Sequence, residues 1–209
     1  MKRPAMPSSL IRLRRASARL VRDNRGVAAV EFAIVVPLML VMFFGTVEFT
    51  SGVAVKRKVS ILTQSLGDLV SRYQSVNDTD IANFNKIADA ILTPYSATPL
   101  KATITELYID PTTGAARVQW SKGDAARGAG TSVSIPDDLI GRDPTTKKIK
   151  PDQYLIFTES SYLYVPAVGY VMGKAGVTLS DKIYMKPRLA SCVIYPTPSS
   201  GTLPACPKT

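Results

Sequence analysis

The junction at Gly26 brings together the residues of this sequence whose types and spacing could support chemistry. Gly26 is followed by Val27 and an apolar run in which Glu31 is the single carboxylate before Glu48. If the peptide bond after Gly26 is cut, Val27 gains a free ammonium group. Glu31 follows one helical turn later on the same face, so the two opposite charges can pair, within one chain or between neighbouring subunits. The alternative is that Glu31 reaches the headgroup layer of a membrane.

The rest of the sequence contains no recognisable catalytic, cofactor or metal site. It has no His and two Cys, so the commonest general base is missing and a closed zinc site cannot form. Residues 169–174 (GYVMGK) approach a phosphate-binding loop, but a residue is missing between the glycines and Ala175 replaces the metal-binding hydroxyl. No spacing marks a nucleophile with its base or a pair of catalytic carboxylates. We therefore expect a protein that is not an enzyme and that needs no cofactor or metal.

The positive charge of the chain is concentrated in residues 1–26. This arm holds eight Lys/Arg and one acid, Asp23, while the formal charge of the whole chain is +10. An excess of Lys/Arg beside an apolar segment keeps that side of the segment in the cytoplasm, near anionic lipid. We therefore interpret residues 1–26 as a basic cytoplasmic leader and expect no nucleic-acid partner.

Residues 27–48 are predicted to form a transmembrane helix. Residues 32–47 carry no charge, and a helix of about 21 residues spans about 31 Å, enough for the apolar core of a bilayer. Pro37 is tolerated in membrane helices. Because the Lys/Arg excess precedes the segment, we expect a single-pass membrane protein with a cytoplasmic N-terminus and a head on the other side of the membrane.

A cleaved signal peptide is the alternative interpretation of the same segment. The apolar run is long for a signal core, and the residues 45–48 (GTVE) make a poor cleavage site for signal peptidase. Arg14-Arg15 is typical of a twin-arginine signal, but the apolar core begins too late after it. The sequence therefore favours a helix that stays in the membrane.

Two short strings carry a resemblance to a known family. They are RGVAAVEFAIVVP at residues 25–37 and GTVEF at residues 45–49, with a weaker likeness at residues 183–188. At these residues the chain resembles the TadE-like (TadE/TadF) minor pilins and pseudopilins of the Tad (tight adherence, Flp-type) pilus assembly system.

This resemblance implies a pseudopilin or minor pilin anchored in the bacterial inner membrane, with a periplasmic head, that supports assembly of an adhesive pilus in adherence and biofilm formation. It implies cleavage after Gly26 by a prepilin peptidase, with Val27, Glu31 and Phe32 as the other residues of the cleavage motif. The implied partners are that peptidase, other Tad pilus subunits and the inner-membrane assembly platform, and the helix could mediate homo- or hetero-oligomers. The alternative is an uncleaved, signal-anchored extracytoplasmic binding or adhesin module.

Residues 49–76 are predicted to continue as an amphipathic helical extension. Apolar residues recur there at alternating intervals of four and three, which indicates one apolar seam, formed by Val55, Val59, Leu62, Leu66, Leu69, Tyr73 and Val76. The seam could face a core or a partner helix. A second, short helix is expected at residues 80–92, with an N-cap among residues 77–79 and an end at Thr93-Pro94.

Beyond residue 100 the apolar period changes to two, which predicts strands. We expect a hairpin (103–109 and 116–120), a short strand (132–135), a long strand (153–165) with a continuation (169–172), and a last strand (178–185). The expected fold is α+β and pilin-like, with a long N-terminal transmembrane and amphipathic helix followed by a short helix and a small antiparallel β-sheet. Residues 77–209 then form an extracytoplasmic head with a Pro-rich tail.

Cys192 and Cys206 are close together in sequence near the C-terminus. In an exported domain a disulfide between them is plausible, and a loop of this size would stabilise the fold by about 3 kcal/mol in the chain-entropy model. Two unrelated thiols are the alternative.

Overall fold

A computed structural model of the protein describes residues 26–166, 176–199 and 202–208. Contacts divide the chain into two units, with the boundary between Phe49 and Thr50. In its described part the first unit consists of the beginning of helix α1, which runs from Val27 to Ser71. The second unit contains the remainder of α1, a shorter helix and every described strand.

Within the second unit, α1 buries one side, on the residues Val55, Val59, Leu62, Leu66 and Val70. Five of the seven predicted seam positions are buried, because Val76 is buried as well. Leu69 is half-buried and packs on the core, and Tyr73 is 38% exposed. The helix itself ends at Ser71 and not at residue 76. The backbone beyond it forms other hydrogen bonds: Ile194 N donates to Gln74 O at 3.0 Å, and Val76 N donates to Ile194 O at 2.9 Å.

Helix α2 runs from Asp78 to Leu92 and begins with a capping box. Asp80 N donates to Asn77 Oδ1 at 3.0 Å, and Asn77 N donates to Asp80 Oδ2 at 2.9 Å. Each side chain satisfies a backbone donor that the first helical turn would leave free. The helix predicted at residues 80–92 is therefore present, two residues longer at its N-terminus, with the cap in the predicted segment.

Five strands form one antiparallel sheet in the order β3-β2-β1-β4-β5. They are β1 (Leu100–Ile109), β2 (Ala116–Gly123), β3 (Ser132–Val133), β4 (Gln153–Tyr164) and β5 (Val177–Met185), with a short 3-10 helix at Asp137–Leu139. The predicted α+β class is confirmed, and each of these strands lies where an alternating segment predicted one. The continuation predicted at residues 169–172 lies outside the described residues.

The two faces of the sheet are covered differently. Both helices pack on one face, called the helix face here, in a cluster that includes Leu62, Leu66, Phe84, Ile104 and Ile156. The opposite, outer face is covered over one half by apolar residues of the segment 133–149, which pack on Leu107, Val118 and Leu155. Alternation along β1 therefore places residues 104, 106 and 108 on the helix face and residues 103, 105 and 107 on the outer face.

Gly67 allows α1 to lie close to the sheet. A Cβ atom at this position would be 3.2 Å from Thr158 Oγ1 and 3.4 Å from both Ile183 Cγ2 and Met185 Sδ. These three side chains belong to β4 and β5, so a side chain on Gly67 would push the helix away from the sheet.

Candidate functional site

The residues predicted to form a cleavage motif lie together at the start of α1. Val27 is the first residue of the helix, and Glu31 and Phe32 follow in its next turn. Val27 is 51% exposed and Phe32 is 69% exposed, and Glu31 is exposed as well. The helix places Val27 and Glu31 four residues apart on one face, the spacing at which opposite charges can meet.

Gly26 has no neighbour that would require a glycine. A Cβ atom added there would meet no atom within 4 Å, and its backbone is not left-handed. The described fold therefore accepts a side chain at Gly26. A strict requirement for glycine would have to come from a molecule that binds this junction.

The first part of α1 presents apolar side chains that none of the described residues of its unit covers. Large exposed side chains there include Phe32, Ile34, Leu38, Met42, Phe43 and Phe49. By length and composition, α1 is able to cross a membrane, and its most apolar window has no buried residue. An apolar stretch of this length in contact with water would be strongly unfavourable, so a lipid or protein environment must cover it.

Glu106 is a buried carboxyl group that the strand pattern alone did not single out. Its side chain is fully buried on the helix face of β1. Oε1 accepts a hydrogen bond from Val193 N at 2.5 Å, whereas Oε2 has no hydrogen-bond partner within the described part of the chain. Burial raises the pKa of Glu106 from 4.5 to about 8, and the hydrogen bond from Val193 N opposes this shift.

The C-terminal segment is held by side chains of the sheet close to Glu106. Val193 is bound at both of its backbone groups, because Trp120 Nε1 donates to Val193 O at 2.7 Å while Val193 N donates to Glu106. A disulfide joins Cys192 to Cys206. Further along, Tyr154 Oη donates to Pro207 O at 3.0 Å. The tail that the sequence predicted as Pro-rich is therefore tied to the sheet at several points.

Among the described residues, no group of three or more His, Cys, Asp or Glu could hold a metal ion. The GYVMGK segment at residues 169–174 lies outside the described residues. The geometry available for function is therefore that of the helix junction, the apolar surface of α1 and the surfaces of the α+β unit.

An apolar helix able to span a bilayer, continued into an α+β domain, defines a membrane-anchored protein with one folded domain. The family model described as "TadE-like protein" matches residues 26–63. The match begins at Gly26 and includes the apolar stretch and the start of the buried seam, and it confirms the resemblance stated from the sequence. It is a similarity of this segment to TadE-like proteins and covers less than half of the chain. Searches of curated proteins and of solved structures found no match.

Proposed function

We propose that the protein is a non-enzymatic minor pilin or pseudopilin that supports assembly of a Tad-type adhesive pilus. The TadE-like match that starts at Gly26 carries this proposal, together with the uncovered apolar surface that follows it. The basic leader stays in the cytoplasm, the first part of α1 crosses the inner membrane, and the α+β unit lies in the periplasm. Its partners are the other Tad subunits and the assembly platform.

The proposal includes cleavage between Gly26 and Val27 by a prepilin peptidase. Gly26→Ala tests this step, and Gly45→Ala is a matched control, because a Cβ atom at either glycine would meet no atom within 4 Å. Intact mass and N-terminal sequence of protein purified from its native host are the measurements. We expect wild type and Gly45→Ala to begin at Val27 and Gly26→Ala to retain the leader.

Two outcomes contradict cleavage at this bond. One is wild-type protein that still carries the residues before Val27 in a host with active prepilin peptidase. The other is Gly26→Ala protein processed at the wild-type rate. If Gly26→Ala keeps its leader and yet supports normal piliation, the uncleaved, signal-anchored adhesin becomes the better description.

Glu31 is proposed to pair with the new ammonium group of Val27 on a neighbouring subunit. An unpaired carboxylate in an apolar environment is costly, and the pair removes that cost while fixing the register of the two helices. Glu31→Ala should leave cleavage intact and lower the yield of pili by about tenfold or more, since a lost buried partner costs at least ~1.4 kcal/mol. Glu48→Ala, at the other end of the apolar stretch, is the control and should assemble normally.

A Glu31→Ala strain with wild-type pilus yield would show that the charge pair is not used. Processing and assembly are separate readouts here, so a defect in one is not mistaken for a defect in the other.

A further inference from the structure

The uncovered half of the outer face of the sheet forms a cleft that is lined mainly by charged and hydroxyl-bearing residues. Strand register places two rows of side chains across it. The first row is Lys101, Ser161 and Ser180, and the second is Thr103, Glu159 and Lys182. The cleft has a volume of about 550 Å³, within the range of roughly 300–1,000 Å³ that is usual for small-ligand sites.

The loop after β2 fixes an arginine at the wall of this cleft. The loop is held at its base, because Ala102 N donates to Asp124 Oδ2 at 2.9 Å and Ala125 N donates to Thr103 Oγ1 at 3.0 Å. Arg127 then forms an ion pair with Glu159. Its guanidinium lies over the ring of Phe157, 5.5 Å from the centroid. An arginine oriented by a ring and a carboxylate loses little entropy when it binds a further anion.

The charges that line the cleft leave a positive surplus. Arg127 neutralises Glu159, and Lys56 lies 3.5 Å from Asp181. Within residues 26–166, 176–199 and 202–208, Lys101 and Lys182 have no ion-pair partner. Two exposed ammonium groups therefore flank a floor of Ser and Thr hydroxyls, and the field in the cleft favours an anion.

We propose that this cleft binds carboxylate-bearing sugar units of an acidic polysaccharide. The lysines and Arg127 meet the carboxylates, and the hydroxyls of Ser161 and Ser180 exchange hydrogen bonds with the hydroxyls of the sugar. An acidic peptide fits less well. Its side chains can supply carboxylates, but it brings few hydroxyl groups to exchange hydrogen bonds with Ser161 and Ser180.

Binding of alginate oligosaccharides to the full-length protein tests this site, independently of cleavage and of pilus assembly. The protein is kept in a micelle of a polyoxyethylene detergent, which has no sugar headgroup, and binding is measured by calorimetry at low and at moderate salt. Neutral dextran oligosaccharides and polyglutamate of similar length are the comparison probes. We expect alginate to bind, with an affinity that falls as salt rises, dextran not to bind, and polyglutamate to bind at least about tenfold more weakly.

Charge-removing variants locate the site. Lys101→Ala and Lys182→Ala should each lower the affinity for alginate about three- to tenfold, as expected for a partly exposed charge contact. Lys148→Ala removes one exposed positive charge outside the cleft and should change affinity less than about twofold. All three lysines are exposed, so the variants should unfold at the wild-type temperature.

The proposal fails if alginate does not bind, or if Lys148→Ala weakens binding as much as Lys101→Ala, which would mean general charge attraction. It also fails if polyglutamate binds as tightly as alginate, because the hydroxyl floor would then contribute nothing to recognition.

Discussion

Replacement of Glu106 by Gln should remove a pH dependence of folding that the wild-type protein shows near neutrality. Glu106 is fully buried and its pKa is raised from 4.5 to about 8. Between these two values the folded protein holds a proton that the unfolded chain releases. The contribution of Glu106 to stability is therefore greatest at and below about pH 4.5 and falls as pH rises towards about 8. Gln has the same shape and does not titrate.

The size of the effect follows from the shift in pKa. Each pH unit within the interval changes the free energy of unfolding by ~1.4 kcal/mol, so the loss between about pH 5.5 and about pH 7.5 is about 3 kcal/mol. For a chain of this length, 1 kcal/mol corresponds to roughly 2–4 °C in Tm. The loss of the Glu106 contribution should thus lower the Tm of the protein by roughly 6–12 °C over those two pH units. Tyr154, which lies near Glu106, does not titrate in this range because burial raises its pKa to about 12.

Thermal unfolding of the full chain in nonionic detergent, followed by tryptophan fluorescence, measures this directly. Trp120 is the only tryptophan of the chain, and it is buried beside Val193 and Glu106. The quantity compared is the slope of Tm against pH, since other groups contribute equally to wild type and to Glu106→Gln. If the two proteins lose stability in parallel between about pH 5.5 and about pH 7.5, Glu106 does not hold its proton as described and the reasoning is wrong.

Three further substitutions test the packing of the α+β unit, each by the change in Tm. Gly67→Val should destabilise by about 1–3 kcal/mol because its side chain would press on β4 and β5, whereas Gly128→Val, at a site where an added Cβ atom would lie 3.7 Å from its nearest neighbour, should be nearly neutral. Asn77→Ala should cost about 1 kcal/mol through loss of the capping box, while Asn83→Ala, on the exposed side of α2, should be neutral or slightly stabilising. Cys192→Ser should cost about 3 kcal/mol, and reductant should lower the Tm of the wild type but leave that of the variant unchanged.

Local signals were sufficient for the β1–β2 hairpin. Asp110 and Gly114 bound the turn that joins the two strands of the predicted hairpin. Asp110 Oδ1 accepts a hydrogen bond from Thr112 N at 2.8 Å, and Gly114 has a φ of 76°. The turn needs a side-chain hydrogen-bond acceptor at its start and a glycine with positive φ at its end. Both lie within five positions of one another, so the residue types alone predict the turn.

Long-range contacts explain what the sequence did not predict. The apolar seam continues past Ser71 and therefore does not predict that α1 ends there. The backbone after Ser71 instead pairs with the C-terminal segment, where Ile194 bonds to the carbonyl of Gln74 and the amide of Val76. The alternating pattern of β1 is equally compatible with an exposed Glu106, so it does not predict that this side chain is buried. The hydrogen-bond partner of Glu106, Val193, is 87 positions further along the chain.

The two candidate sites also differ in whether local sequence is sufficient to predict them. The proposed cleavage motif from Gly26 to Phe32 is contiguous, so its residues can be identified directly from the sequence. The cleft on the outer face combines Lys101, Arg127 and Lys182 from three separate segments. Only the strand register and the loop after β2 bring these side chains together.

The position of Val193 near the end of the chain has a consequence for biogenesis. Glu106 and Trp120 are both synthesised long before Val193. Their buried polar groups can form their hydrogen bonds with the Val193 backbone only after Val193 has been synthesised. Until then both groups must hydrogen-bond to water, so water cannot be excluded from the core on this face of the sheet. The domain therefore completes its folding only after Val193 has left the ribosome. In an exported protein, it does so only after Val193 has crossed the bilayer, so a chain stalled before that point would remain open to proteases and chaperones.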